Sequence, residues 1–208
     1  MWDGIASSYD RRFEKEYLPI FKKLIQELNM NDRVLEIGCG SGLVSFEAAK
    51  YCSFVTGVDL SESMIAIAQE KKEHFKIDNI EFLVGNAENL PKQMDIFDKI
   101  ILCNCLHVVD SPSAVLEEAK RHMTDRSKLL LFTYCHKEKL RPKQFIFSAG
   151  MRFLHRIGCI PAMHSFSFLD VKELCKRVGL VSLHEELFSA GGFPCAFFIL
   201  QNQSSQTK

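Results

Sequence analysis

The chain has 208 residues, enough for one domain with a full-sized core and too few for two comfortable ones. Apolar residues make up 47% and charged residues 25%, and 26 basic side chains balance 26 acidic ones. This is ordinary soluble-globular composition, with no overall field to attract nucleic acid or a membrane surface. Eight cysteines (Cys39, Cys52, Cys103, Cys105, Cys135, Cys159, Cys175 and Cys195) invite a disulfide or metal reading. Most stand in apolar runs such as "IILCNCLHVV" and "CAFFIL", where they act as small hydrophobes. No CxxC pair occurs and Cys103-x-Cys105 has poor zinc spacing, so reduced thiols, no metal and a cytoplasmic location are expected. The N-terminus lacks a signal-peptide pattern, and no run approaches the roughly 18–20 apolar residues of a membrane span.

In chain order, "WDGIASSYD" places Trp2, Ile5 and Tyr9 near one face of a short helix. "RVLEIG" (33–38) reads as a strand ending in glycine, and "LVSFEAAKY" (43–51) as a helix. A strand over 54–60, a helix over 62–75 and strands over 79–85 and 97–104 follow. Ser111 as N-cap and Pro112 at the first helical position open a helix to Met123, and "KLLLFTY" (128–134) is the fifth strand. Residues 136–166 break this rhythm with basic and aromatic residues, two glycines and two prolines, and read as an inserted cap. A helix over 168–179 is stopped by Gly179, and strands over 180–188 and 195–201 are joined by "SAGGFP" as an antiparallel hairpin. The tail over 202–208 is polar and expected to fray. Near-continuous apolar strands alternating with helices predict an α/β fold: a Rossmann-like, doubly wound, mostly parallel seven-stranded sheet with a C-terminal antiparallel hairpin. One domain over 1–208 is expected.

The chemistry concentrates in "VLEIGCGSG" and the acid Asp59 at the end of the next strand. Ligands of parallel sheets bind beyond the carboxyl ends of the strands, and glycines let backbone approach them closely. A terminal acid there can accept from both ribose hydroxyls of a nucleoside. The dinucleotide fingerprint spaces its glycines G-x-G-x-x-G, whereas Gly38, Gly40 and Gly42 are G-x-G-x-G. Glu36, inside the strand, is unhelpful beside a pyrophosphate and suits a ligand carrying an ammonium or sulfonium group.

Together "VLEIGCGSG", "GVDLSESMI", "GNAENLP" and "FDKIILCNCLHVV" resemble the successive motifs of class I S-adenosylmethionine-dependent methyltransferases. The likeness is to their small-molecule branch, which includes the quinone-precursor methyltransferases, and it covers residues 1 to about 135. It implies S-adenosyl-L-methionine as cofactor, with Glu36, Gly38, Cys39 and Gly40 around its amino acid end and Asp59 on its ribose. Leu60 and Met64 would pack on the adenine, with Asn86, Ala87 and Glu88 near its edge; the family usually has Asp where Asn86 stands. Cys103 and Asn104 would lie beside the transferable methyl. "WDGIASSYD" resembles the family's "FDxxAxxYD", a lid over 1–14 through which Tyr9 approaches the methionine portion and the chemistry.

Methyl transfer is an in-line displacement that asks the protein chiefly for alignment and exclusion of water. A base is needed only for an acceptor that arrives protonated, and His107 is the candidate. Its alternative is a helix-start histidine bonded to backbone. Tyr134 and His136 are second-line candidates for the same space, and His164 in the cap reads as a surface loop residue. The cap carries six basic residues between Lys137 and Arg156 against Glu138 alone. It reads first as a helical lid with its charges solvated and its apolar face packed on the body, and more sharply as a cap lining a pocket for an apolar or acidic small-molecule acceptor, its 140–160 part being the candidate for peripheral membrane contact. The same position after strand four lacks an Asn/Asp-Pro-Pro-aromatic turn, which weakens a protein or nucleic-acid methyltransferase as alternative. A catalytically silent cofactor-binding partner subunit is the other. A monomer or a homodimer fits equally.

Overall fold

The computed structural model describes residues 17–91, 94–138 and 164–203. The N-terminal lid with Tyr9, and residues 139–163 of the cap, lie outside these residues. The strands are β1 (Arg33–Ile37), β2 (Phe54–Asp59), β3 (Ile80–Val84), β4 (Phe97–Cys103), β5 (Met123–Tyr134), β6 (Leu180–Ala190) and β7 (Phe193–Asn202). They form a seven-stranded sheet in the order β3-β2-β1-β4-β5-β7-β6. The first five pair in parallel, and β7 runs antiparallel to both β5 and β6. From β1 the chain winds outward to β3 and then returns to place β4 on the other side. The crevice between the ends of β1 and β4 is therefore the sheet's switch point, where ligands of open α/β sheets bind.

The pleat of β1 divides the core. Leu35 and Ile37 face one layer, with Val115, Leu116 and Ala119 of α4 (Pro112–Arg121) and Val171 and Leu174 of α5 (Phe168–Arg177). Val34 faces the other, with Ile20 and Leu24 of α1 (17–25), Val44 and Ala48 of α2 (Leu43–Ala48), and Ile65 and Ala68 of α3 (Glu62–Phe75). Each such fully buried aliphatic side chain contributes about 1.5–3 kcal/mol. Glu36 shares the Val34 side by the two-residue period of a strand, which aims a carboxyl into that layer. No helix among the described residues is long and apolar enough to cross a membrane.

Local chemistry explains the helix starts. Ser61 Oγ accepts from Met64 N–H and Ser111 Oγ from Ala114 N–H, with Pro112 at the first turn. Ser167 and Asp170 form a reciprocal capping box at α5. Two expected boundaries move. The loop "SAGGFP" shrinks to Gly191-Gly192, because Ser189 pairs with Pro194 and Ala190 with Phe193. Both glycines have positive φ, 56° and 83°, as a two-residue hairpin turn of matching twist requires. β5 begins at Met123 rather than 128, since Met123 pairs with Phe97 before an irregularity in the register. The tail is held further than expected: Asn202 ends β7, and Gln203 N–H donates to Gly179 O at 3.1 Å.

Candidate functional site at the ends of β1, β2 and β4

The glycine turn spends its own amides. Gly38 and Cys39 N–H both donate to Val58 O, at 2.7 and 3.0 Å, and Gly42 N–H donates to Cys39 O at 2.9 Å. Gly40 N–H donates to Asp59 Oδ2 at 2.8 Å. A phosphate cradle needs such amides aimed outward. Here they bind β2, which removes the pyrophosphate reading on geometry as well as on spacing.

The three glycines have different reasons to be glycine. A Cβ on Gly38 would stand 2.6 Å from Cys105 Sγ, and one on Gly42 would stand 2.7 Å from Phe82 Cζ, so both serve close packing. A Cβ on Gly40 would meet nothing within 4 Å, although its φ of +54° is left-handed. Gly40 alone opens onto space that a ligand can take. Beside it the Asp59 carboxylate also accepts from Ser61 N–H through Oδ1, at 2.9 Å. Two amides thus fix its orientation.

Glu36 is 2% exposed and bonds Ser45 Oγ of α2. Among the described residues no basic side chain pairs with it. Burial pushes its carboxyl up to about 8, against the Ser45 hydrogen bond that favours the charged form; the neighbouring Asp59 charge adds to the rise. A buried acid without a counter-ion, at the crevice of a parallel sheet, is complementary to a cation.

Around this centre the expected residues divide. Leu60, 70% exposed, offers an open apolar surface, whereas Met64 is 2% exposed and lies beneath it in the core. Asn86 Oδ1 accepts Glu88 N–H at 2.9 Å, closing a turn within its own loop. Ala87 packs partly on the α4 side of the core. Glu88 Oε1 accepts Ser111 N–H at 2.7 Å, so it ties this loop to the start of α4. The Cys39 and Cys103 side chains belong to the α1–α3 layer of the core, and burial raises both thiols.

At the end of β4, Asn104 has a left-handed φ of 53° and is pinned by its N–H to Phe132 O at 2.9 Å. Its Nδ2 donates to Tyr17 Oη at 3.2 Å, and its Oδ1 is buried without a hydrogen-bond partner among the described residues. Tyr17 is a participant that sequence reading missed. Its apolar spacing with Ile20, Phe21 and Leu24 marks it as core, and nothing local ties it to a residue 87 positions away.

His107 is buried, and its Nδ1 has no partner among the described residues. Its ring stands edge-on to Tyr134 and His136 at centroid distances of 6.1 and 6.0 Å. Tyr134 and His136 in turn meet Phe193 at 5.9 and 6.1 Å, closing a wall of four rings. His164 reaches the same region rather than standing free: its N–H donates to His107 O at 2.8 Å, and its Nε2 lies 2.9 Å from Val109 O. Burial, then the nearby His136 and His164, push the His107 imidazolium down to about 3.

Comparisons with known proteins agree with this geometry. A family model described as a methyltransferase domain matches residues 28–160. A ubiquinone biosynthesis O-methyltransferase of Coxiella burnetii is 33% identical over 113 residues, 54% of this chain and 48% of that protein. The chain thus spans about half the length of that relative. The structure of a SAM-dependent methyltransferase from Aquifex aeolicus superposes with a TM-score of 0.71 at 18% identity, covering 94% of this chain and 98% of that one. A Haloferax volcanii structure, a putative methyltransferase in complex with the Trm112 activator, gives 0.76 at 17% identity with 96% of each chain covered. The buried unpaired acid, the open Gly40 position and the oriented Asp59 all fit a nucleoside with a cationic tail. The chain belongs to the methyltransferase domain family, and its cofactor is S-adenosyl-L-methionine.

Proposed function

We propose that the protein transfers a methyl group from S-adenosyl-L-methionine to a small-molecule acceptor. The observation that carries this reading is the wall of four rings (His107, Tyr134, His136 and Phe193) beyond the end of β4. Its side chains suit contact with a compact, largely apolar molecule. When bound, the cofactor supplies a methyl carbon on positively charged sulfur, so the chain's own task is holding and alignment.

Glu36 faces the cationic amino acid end, with the Gly38–Gly40 backbone beside it. Asp59 takes the ribose hydroxyls, and Leu60 covers the adenine while Met64 supports it from below. The adenine edge is met by backbone at Ala87, because Asn86 and Glu88 are engaged in their loop. Tyr9 and the cap complete the enclosure in this reading, and both fall outside the described residues. Asp59→Ala removes an acceptor that also aligns Gly40, and cofactor affinity should fall about 30- to 100-fold by calorimetry.

His107 enters as a neutral ring. The pH dependence of turnover should show no limb near 6.5 belonging to it, because the folded protein refuses that proton until about pH 3. The unfolded chain accepts the proton below 6.5, so this contribution to stability is complete above 6.5 and is lost as pH falls toward 3. Urea unfolding at pH 7 and pH 5 should show His107→Gln losing about 2 kcal/mol less than the parent over that step.

Incubation with methyl-tritiated cofactor and a cell extract, followed by size fractionation, tests the acceptor class. Label in the low-molecular-mass fraction is expected. Label on protein or RNA would favour the second reading, a macromolecular methyltransferase.

A further inference from the structure

Asn104 combines three features that packing alone does not require. It is one of two non-glycine residues with positive φ among those described, a conformation that costs an L-residue free energy. Its Oδ1 is buried and unpartnered, which is itself unfavourable. Its Nδ2 donates to Tyr17 Oη at 3.2 Å, and turning the amide would only exchange Nδ2 for Oδ1 there, so one polar end of Asn104 is left over either way. The next residue, Cys105, packs against Gly38, so Asn104 stands at the edge of the glycine turn on the ligand side of the sheet. Among the described residues this acceptor therefore has no donor, at the β4 end of the crevice assigned above to the cofactor.

We infer that the methyl acceptor is an oxygen or nitrogen nucleophile that arrives carrying its hydrogen, which Asn104 Oδ1 accepts, and that Tyr17 is the positioning residue that keeps Oδ1 turned toward it. This rests on the small-molecule reading above and narrows its acceptor. Carbon nucleophiles and thioethers bring no such donor and leave the oxygen unsatisfied. In the transfer, the lone pair of the acceptor's oxygen or nitrogen forms the bond to the methyl carbon, and the carbon–sulfur bond breaks with its electrons kept by sulfur. The acceptor's hydrogen, held on Oδ1 as the new bond forms, leaves as a proton to water. Tyr17 lies at the start of the described part of α1, so the helix that follows the N-terminal lid segment also sets the aim of the acceptor site.

The test uses the full chain, methyl-labelled S-adenosylmethionine and a low-molecular-mass cell extract. Product and parent compound are compared by mass spectrometry in deuterated solvent. A product with one exchangeable hydrogen fewer, formed also after thiols in the extract are blocked with a maleimide, is expected; an equal number, or loss of the product on blocking, overturns the inference. Asn104→Gly suits the left-handed backbone and removes only the amide, and should lower kcat about 30-fold with cofactor affinity unchanged. Asn104→Asp keeps an acceptor oxygen and should retain more activity. Tyr17→Phe should lower kcat about 10-fold and shift the Asn104 side-chain amide in the nitrogen-15 spectrum of the cofactor-free protein. It should add nothing to Asn104→Gly. Full additivity, or an Asn104→Gly variant as fast as the parent, overturns the pair. Cofactor binding with no labelled small molecule at all overturns the small-molecule reading itself, and the acceptor assignment with it.

Discussion

Titrating S-adenosylmethionine into the protein near pH 6.5 should release close to one proton, and the release should vanish in Glu36→Gln. In the cofactor-free fold burial holds this carboxyl up to about 8, so below that pH it is mostly protonated. A sulfonium and an ammonium arriving beside it favour the carboxylate, and the proton leaves. Calorimetry in two buffers of different ionisation enthalpy counts it directly. Affinity should then rise about tenfold per pH unit from 5.5 to 7, below the range where the cofactor's own amino group titrates. The sign for folding is opposite. The fold binds a proton that the unfolded chain releases above 4.5, so cofactor-free stability falls as pH rises from 4.5 through 8. Glu36→Gln should consequently stabilise the cofactor-free protein at pH 8 by on the order of 3 kcal/mol while binding the cofactor about 100-fold more weakly. Stability gained together with affinity lost is the signature of a group kept for its ligand. An unchanged proton count in the glutamine variant would refute it.

Gly40→Val should separate binding from folding even more cleanly. A Cβ at Gly40 meets no protein atom within 4 Å, so a valine there grows into the space assigned to the ligand; its left-handed backbone adds roughly 1–2 kcal/mol of strain. Cofactor affinity should fall more than 100-fold, with only a few degrees lost in Tm. Gly38→Ala is the counter-case. Its new methyl would stand 2.6 Å from Cys105 Sγ with φ at +77°, so the packing of β1 against the β4 loop must give way. Its loss of affinity should arrive with a large drop in Tm. Paired thermal melts and calorimetry distinguish the two, and a Gly40 variant that melts like the Gly38 one would mean the turn is structural throughout.

Much of this was legible in the chain. Apolar runs with β-branched residues mark the parallel strands, and Ser111-Pro112 marks a helix start, because strand burial and capping are local rules. The hairpin turn was less so: Ser189, Ala190 and Pro194 are poor strand formers, and only pairing across the turn makes them and Phe193 sheet. The glycine turn was readable as a ligand turn, but its division of labour was not. Which glycine packs and which one opens depends on Cys105 and Phe82, far away in sequence. Asn86, Glu88, Cys39 and Cys103 match family positions, yet the Asn86 side chain closes its own loop, Glu88 reaches the start of α4 and both thiols lie in the core. Tyr17 escaped for the same reason in reverse, since a tyrosine at helical apolar spacing reads as core.

The strand order carries a consequence for how the molecule is made. β6 touches the sheet only through β7, which follows it in the chain and lies between it and β5. During synthesis, β5 therefore waits with an unpaired edge, and β6 has no partner until the Gly191-Gly192 turn lets the chain fold back. That turn makes the pairing local, so the hairpin can form within microseconds and dock as a preformed unit. A lesion in the turn should slow closure of the sheet and leave β5 open to other chains, turning a two-residue loop into a determinant of yield rather than of activity.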